Sequence, residues 1–177
     1  MSADLREAQL RAQELDRRLE ESVSELVLPP STELLRRLRK YLQNREDEGH
    51  PQKNIIKQIR IDETRSQINL GPSIDKGPTD DHFVFSSGAR LSFGVSLKIE
   101  KKGAQLLAYR FDLRLPPGSA LEFIRFDLND ERHPDPLHEP RCHTHAGAED
   151  VRIPSLILSP MEILDRIFFA VEPSFRQ

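Results

Sequence analysis

The amino-acid sequence predicts an α+β domain: an antiparallel β-meander of four or five strands, closed by a C-terminal helix and preceded by an N-terminal two-helix arm. Three observations lead there. Apolar residues recur at helical spacing up to about residue 46, they alternate strictly from about residue 83, and a capped helical phrase begins at Ser159. A length of 177 residues suits one ordinary domain. Size scaling lets a chain of this size bury roughly 70 per cent of its unfolded surface, enough for a core without disulfide or metal staples.

Composition narrows the possibilities. Hydrophobic residues make up 37% and charged residues 31%, so part of the chain is expected to be solvated helix or loop. The 26 basic and 29 acidic residues give a net charge of −3. That balance argues against a general nucleic-acid or membrane binder and leaves room for a local basic patch. The single cysteine, Cys142, excludes an internal disulfide and fits a reducing compartment. The opening MSADLREAQLRAQELDRR has no signal-peptide core, and no run approaches about 18 apolar residues. The expectation is a cytoplasmic, soluble protein with no membrane contact.

The elements follow in order. Leu5, Ala8, Ala12, Leu15, Leu19, Ser22 and Leu26 keep the alternating three- and four-residue steps of a coiled-coil seam. Two alanines and one serine make that seam weak, so it should lie on another surface. Pro29 and Pro30 end it. Ser31 or Thr32 should cap a second helix over about 32–46, with Leu34, Leu35, Leu38, Tyr41 and Leu42 as its stripe. Arg36, Arg37, Arg39, Lys40 and Arg45 cover its other side, either as an ordinary solvated face or as a grip for phosphates or an acidic partner.

Residues 43–82 read as a polar turn, a short strand in KNIIKQIRID and a Gly/Pro loop. Then HFVFSS, ARLSFGVSLKIEKKG, AQLLAYRFDLRLP and ALEFIRFDLND read as four strands separated by SG, KKG and PPGS turns. Leu91, Phe93, Val95, Leu97 and Ile99 alternate with polar residues, and Tyr109, Phe111 and Leu113 oppose Arg110, Asp112 and Arg114. The fourth strand alternates less cleanly. A polar His/Pro loop follows, and the chain ends in a helix with Ser159 as N-cap, Pro160 at its first position and Glu162 at its third. The expected organisation is a helical arm at 1–48, a linker with a short strand at 49–82, and an α+β domain at 83–177.

Reactive side chains concentrate between positions 133 and 145, where His133, His138, His143, His145 and Cys142 fall together. One reading is general acid/base chemistry, since imidazole both donates and accepts protons near neutrality. Metal-independent RNA cleavage needs a base for the 2′-hydroxyl, an acid for the 5′-oxygen and a cation for the developing charge. On an extended His143-Thr144-His145 segment both imidazoles face one side, about 7 Å apart. Arg125, Arg141 and Arg152 are the candidate phosphate contacts. A second reading is a zinc or other divalent-metal site at His138, Cys142, His143 and His145, although the spacing matches no standard knuckle. The plainest reading is a loop whose histidines are exposed or paired with Asp135, Glu139, Glu149 and Asp150. In the same spirit Asp150 with Arg152, and Arg125 with Asp127, could be cross-strand ion pairs.

The order of these motifs resembles a known family. Leu107, Tyr109-Arg110-Phe111, Phe123-Ile124-Arg125-Phe126-Asp127, the Pro/His loop, His143-Thr144-His145-Ala146-Gly147, Asp150 and Ser159-Pro160-Met161-Glu162-Ile163-Leu164-Asp165 look like the TumE-type toxins, small bacterial proteins paired with a DNA-binding antitoxin. The resemblance covers about residues 83–170. Arg125 and Asp127 match a strand-ending phrase of that family, His133 and His138 its loop, and His143 and His145 its terminal histidines. It implies a toxin acting on RNA or translation and held in check by a partner.

The leading expectation is therefore a toxin-like effector of a toxin-antitoxin or defence system that cleaves or binds RNA. His143 and His145 would be the acid/base pair, His133 or His138 an auxiliary group, Arg125, Arg152 and Arg141 the phosphate contacts, and Asp127 and Asp150 supporting residues. No cofactor is required on that reading. Residues 1–48 would bind an antitoxin or assembly subunit, or a second copy of the chain. The rival expectations are a catalytically silent interaction subunit acting through its helical arm, and a metal-dependent hydrolase.

Overall fold

The computed structural model describes residues 26–45, 49–51, 56–71, 82–130 and 140–171. Its class is α+β, dominated by antiparallel sheet. Strands β1 (Val27–Leu28), β2 (Gly49–Pro51), β3 (Ile56–Arg60), β4 (Arg65–Leu70), β5 (Phe83–Phe85), β6 (Arg90–Glu100), β7 (Gly103–Arg114), β8 (Phe123–Leu128), β9 (Cys142–Ala146) and β10 (Arg152–Pro154) form one sheet. Its main path runs β10-β9-β8-β7-β6-β4-β3. Helix α1 (Ser31–Gln43) and helix α2 (Pro160–Arg166), which continues as a π-helical turn at Ile167–Val171, complete the described elements.

Strands β6 and β7 follow the alternation read from the sequence from Leu91 to Leu97 and from Tyr109 to Leu113. Ile99, however, is exposed, and a register shift at Ser96/Leu97 pairs Leu97 with the buried Leu106 in place of Leu107. Leu91, Phe93, Val95, Phe111 and Leu113 are buried and paired across the hairpin. They belong to one apolar core with Leu34, Leu38 and Leu42 of α1, and with Ile163, Leu164, Ile167 and Phe168 of the C-terminal helix. Tyr41 joins the two helices: its ring meets Phe168 edge-on at 5.5 Å and its hydroxyl donates to Asp165 Oδ1 at 2.8 Å. Phe83 and Phe85 complete that aromatic corner against Phe168.

Several expectations are corrected here. Helix α1 is not an arm, because its leucines are spent on the common core; the seam at 5–22 lies outside the described residues. The stretch 49–82 is not merely a linker with one strand. It supplies β2, β3 and β4, and β4 pairs with β6 from Arg65↔Lys98 to Leu70↔Phe93. The polar residues of RSQINL hid this strand, since Ser66 and Asn69 are buried beside Ile68 and Leu70. Neither Ser31 nor Thr32 caps α1: Pro30 holds the N-cap position without a side-chain bond, and Ser31 Oγ accepts from Gln58 Nε2 instead. The cap of α2 is as expected, with Ser159 and Glu162 exchanging both bonds of a capping box. The π-helical turn that follows it carried no sequence signal. No described helix is long and apolar enough to cross a membrane.

The basic side of α1 is largely engaged locally. Arg36 and Arg37 both pair with Glu33, and Arg39 donates to the main-chain oxygen of Ile56 at 2.8 Å.

Candidate functional site

The opposite side of the sheet is polar. Strand registers place Ser92, Asp112, Arg125, His145 and Arg152 in one row across β6–β10, and Asn69, Gly94, Arg110, Asp127 and His143 in the next row across β4–β9. Side chains alternate along a strand, so each row lies on the side away from Tyr109, Phe111, Leu128 and Cys142. This explains the irregular reading of FIRFDL. Its alternation is clean, but the residues sharing a face with Phe123 are Arg125 and Asp127, and all three are buried.

Asp127 is the centre of the arrangement. Arg125 Nε donates to its Oδ2 at 2.6 Å and Arg110 Nε to its Oδ1 at 3.1 Å. The Nε2 atoms of His145 and His143 lie 3.4 and 3.9 Å from Oδ2. The imidazoles are edge-to-face with centroids 4.8 Å apart, closer than extended backbone alone suggests, because both rings lean toward the carboxylate. Asp127, His143 and His145 are 3%, 3% and 1% exposed.

Main-chain carbonyls orient both rings. His143 Nδ1 lies 2.6 Å from the oxygen of Pro140, and His145 Nδ1 lies 3.3 Å from that of Ala148. The second contact depends on the turn at Gly147, whose φ of +75° suits glycine and whose amide donates to the oxygen of Phe123 at 2.8 Å. A Cβ there would also stand 3.0 Å from Leu121 Cδ2.

The electrostatics follow from burial and pairing. Burial holds the His143 imidazole below its ordinary value, against the opposing pull of the Pro140 carbonyl and the Asp127 charge. Burial also opposes the Arg125 charge, but its bond to Glu149 at 2.8 Å and the Asp127 carboxylate more than offset this and hold the guanidinium above its ordinary value. Arg125 in turn holds the Glu149 carboxyl below its usual range. Asp112, paired with Arg114, is pushed upward by burial.

A cleft of about 630 Å³ opens beside the cluster on the polar side. Asp127 and Arg110 form one end of its wall, Arg65, Gln67 and Ser96 another part, and Asn129 and Asp130 also line it.

The candidate residues separate accordingly. His143, His145, Asp127 and Arg125 come together, and Arg152 stands opposite His145 on β10. Arg141 is turned to the main-chain oxygen of Asn129 at 3.3 Å. Asp150 is exposed in the turn before β10. His133 and His138 lie outside the described residues. Cys142 does not join the histidines: it is on the apolar side, its sulfur 3.3 Å from the Tyr109 hydroxyl and 3.4 Å from Ser155 Oγ. Cys142 therefore does not share a face with His143 and His145, and the side chains grouped closely enough to hold a metal ion are Asp127, His143 and His145. Arg125 and Asp127 do not pair across strands; they pair along β8, two residues apart. The sequence reading missed Arg110, Arg65 and Glu149 as site residues. The alternation of RFDLR places Arg110 on a polar face, but nothing local shows which residue faces it.

No family model matches this chain, and neither curated proteins nor solved structures yield a match.

Proposed function

We propose that this chain is a toxin-like effector that cleaves phosphodiester bonds in RNA, with the Asp127–His143–His145 cluster as its reaction centre. The observation that carries this reading is the cleft, which Asp127 lines together with Arg110 and Arg65, while the two imidazoles lie within 3.9 Å of that carboxylate. Guanidinium matches phosphate oxygens bidentately and stabilises the charge that develops on them during transfer. In the reaction, water or a neighbouring 2′-hydroxyl bonds to phosphorus and loses its proton. The bond to the 5′-oxygen breaks and that oxygen takes up a proton. With both Nδ1 atoms turned to carbonyls, the imidazoles serve this chemistry only through Nε2. Arg125, held between Asp127 and Glu149, becomes a positioning residue for the carboxylate.

The TumE-type resemblance supplies the setting, a cytoplasmic effector restrained by a protein partner bound through residues 1–48. Helix α1 packs its leucines inward, so its contribution to such a contact would come from the Arg36, Arg37 and Lys40 side.

The test is cleavage of a mixed RNA pool by the wild-type chain, a His143→Ala/His145→Ala variant and an Arg65→Ala/Arg110→Ala variant. Cleavage by the wild type, its loss in the histidine variant, and a drop of roughly 10²–10³-fold in the arginine variant are expected, the last by analogy with losing one charge-stabilising donor. Undiminished cleavage by the histidine variant removes this centre. No cleavage in any lane returns the chain to a silent interaction subunit.

A further inference from the structure

Consider the hydrogens around Asp127. The partners of both Nδ1 atoms are main-chain carbonyls, which only accept, so each ring carries its hydrogen on Nδ1. In the neutral form of each ring Nε2 is then a lone pair, and both Nε2 atoms lie within 3.9 Å of Asp127 Oδ2. His145 Nε2 is buried and has no hydrogen-bond partner among the described residues. Electron-pair donors turned on one another in a buried site repel, and an unsatisfied buried polar atom is costly. A cation among them converts the repulsion into bonding.

The spacing suits an ion. Two ligands about 2.0–2.2 Å from a tetrahedral ion stand roughly 3.3–3.6 Å apart. The His145–Asp127 distance of 3.4 Å falls in that range, and the His143–Asp127 distance of 3.9 Å needs only a small shift inward. The three ligand atoms lie within 4.8 Å of one another, so binding requires all three side chains to draw in around the ion. The surroundings also match what ligands require. Histidine ligands typically donate their other nitrogen to a carbonyl or carboxylate, and ligating carboxylates are themselves hydrogen-bonded. Here Pro140 and Ala148 serve the rings, and Arg125 and Arg110 serve the carboxylate. A carboxylate has about four acceptor positions, so Oδ2 can take Arg125 and still face an ion. Glu149 offsets the Arg125 charge at 2.8 Å.

We infer that Asp127, His143 and His145 bind one divalent first-row transition-metal ion of the zinc class. Two imidazoles and one carboxylate favour such an ion over magnesium or calcium, which prefer oxygen ligands alone. Three protein ligands leave a coordination position open, the pattern of catalytic rather than structural zinc. Binding does not depend on the reaction proposed above. Its consequence for that reaction does: Nε2 atoms that hold an ion cannot also move protons, so the ion's activated water would take over from imidazole acid/base catalysis beside the cleft lined by Arg65 and Arg110.

The experiment uses the full chain, stripped with chelator and dialysed. It is titrated calorimetrically with zinc chloride, cobalt chloride and magnesium chloride, with visible absorption followed for cobalt. The expected result is about one zinc ion per chain and no uptake of magnesium under the same conditions. His145→Ala and Asp127→Asn should each weaken zinc binding by more than the roughly 10–100-fold typical of losing an outer partner. Cys142→Ser should bind as the wild type does. Circular dichroism checks folding, and if His145→Ala is unfolded the shape-preserving Asp127→Asn decides. Failure of the folded wild type to bind zinc, or equal binding by Asp127→Asn, overturns the site. RNA cleavage assayed in parallel separates the two ideas. Zinc binding without cleavage keeps the site and sinks the reaction, whereas chelator-resistant cleavage by a chain that binds no zinc does the reverse.

Discussion

The two faces of strands β7, β8 and β9 are built to opposite rules. On one face Tyr109, Phe111 and Leu128 pack among the rings and leucines of two helices, and Cys142 sits beneath the Tyr109 hydroxyl. On the other, at the next position along each strand, Arg110, Asp127 and His143 crowd together with Arg125 and His145. The apolar face gains free energy from every carbon it hides, at roughly 25 cal/mol per Å². The polar face loses free energy on burial unless each charge meets its complement. A fold that needed only stability would not bury two histidines against a carboxylate already bonded to two arginines. The contrast teaches that the two faces answer to different energetics, and the cost of the polar one is what the proposed site would account for.

Three substitutions probe that contrast from its strongest effect downward. Phe111→Ala attacks the apolar face alone. Phe111 is fully buried and stacks on Phe93 at 4.9 Å, so its truncation should cost about 3–5 kcal/mol by urea unfolding. Zinc affinity measured on the folded fraction should stay at the wild-type value. If it falls as far as it does in His145→Ala, the two faces are not separable.

Gly147→Ala attacks the polar face through the backbone. A side chain at φ +75° and the 3.0 Å approach to Leu121 should cost about 1–3 kcal/mol. Because this turn brings the Ala148 oxygen to His145 Nδ1, zinc binding should weaken more than the loss of stability explains. Calorimetry on the folded protein reads the difference, and unchanged affinity would show that the carbonyl does not orient the ring.

Ser159→Ala lies away from both rows and sets the scale for an ordinary local change. Loss of the cap should cost about 1 kcal/mol at neutral pH. The Glu162 carboxyl is held below its ordinary value by its bond to Ser159. Its contribution is therefore full above the ordinary glutamate value, about 4.3, and disappears as pH falls through the lowered one. The gap between wild type and variant should narrow on acidification, in unfolding curves collected at neutral pH and at successively lower pH. A gap that stays constant would mean that the hydroxyl alone makes the cap.

Much of this molecule was legible as local pattern. Alternation in RLSFGVSLKIE and QLLAYRFDLR marked β6 and β7, and the Ser159-Pro160-x-Glu162 phrase marked the start of α2. The HxH spacing puts His143 and His145 on one side only where the segment is extended, and β9 and β10 lay hidden in what read as a polar loop. These signals are properties of neighbouring residues, set by side-chain periodicity and by the hydrogen bonds that chain ends require. Strand β4 escaped because only Ile68 and Leu70 mark its apolar face, and its polar Ser66 and Asn69 are buried as well. Helix α1 was placed correctly along the chain and wrongly in space, because an apolar stripe does not name the surface that covers it.

The meeting of Asp127 with two imidazoles is of a different kind. It needs β8 and β9 paired in one register, Asp127↔His143 and Arg125↔His145, and a shift of one residue would send both histidines to the apolar side. Which cation stands on each carboxylate oxygen, and that Cys142 turns from the histidines beside it to Tyr109, depend likewise on contacts between residues far apart in the chain. Periodicity along a strand specifies which residues share a face; only pairing between strands specifies which of them touch.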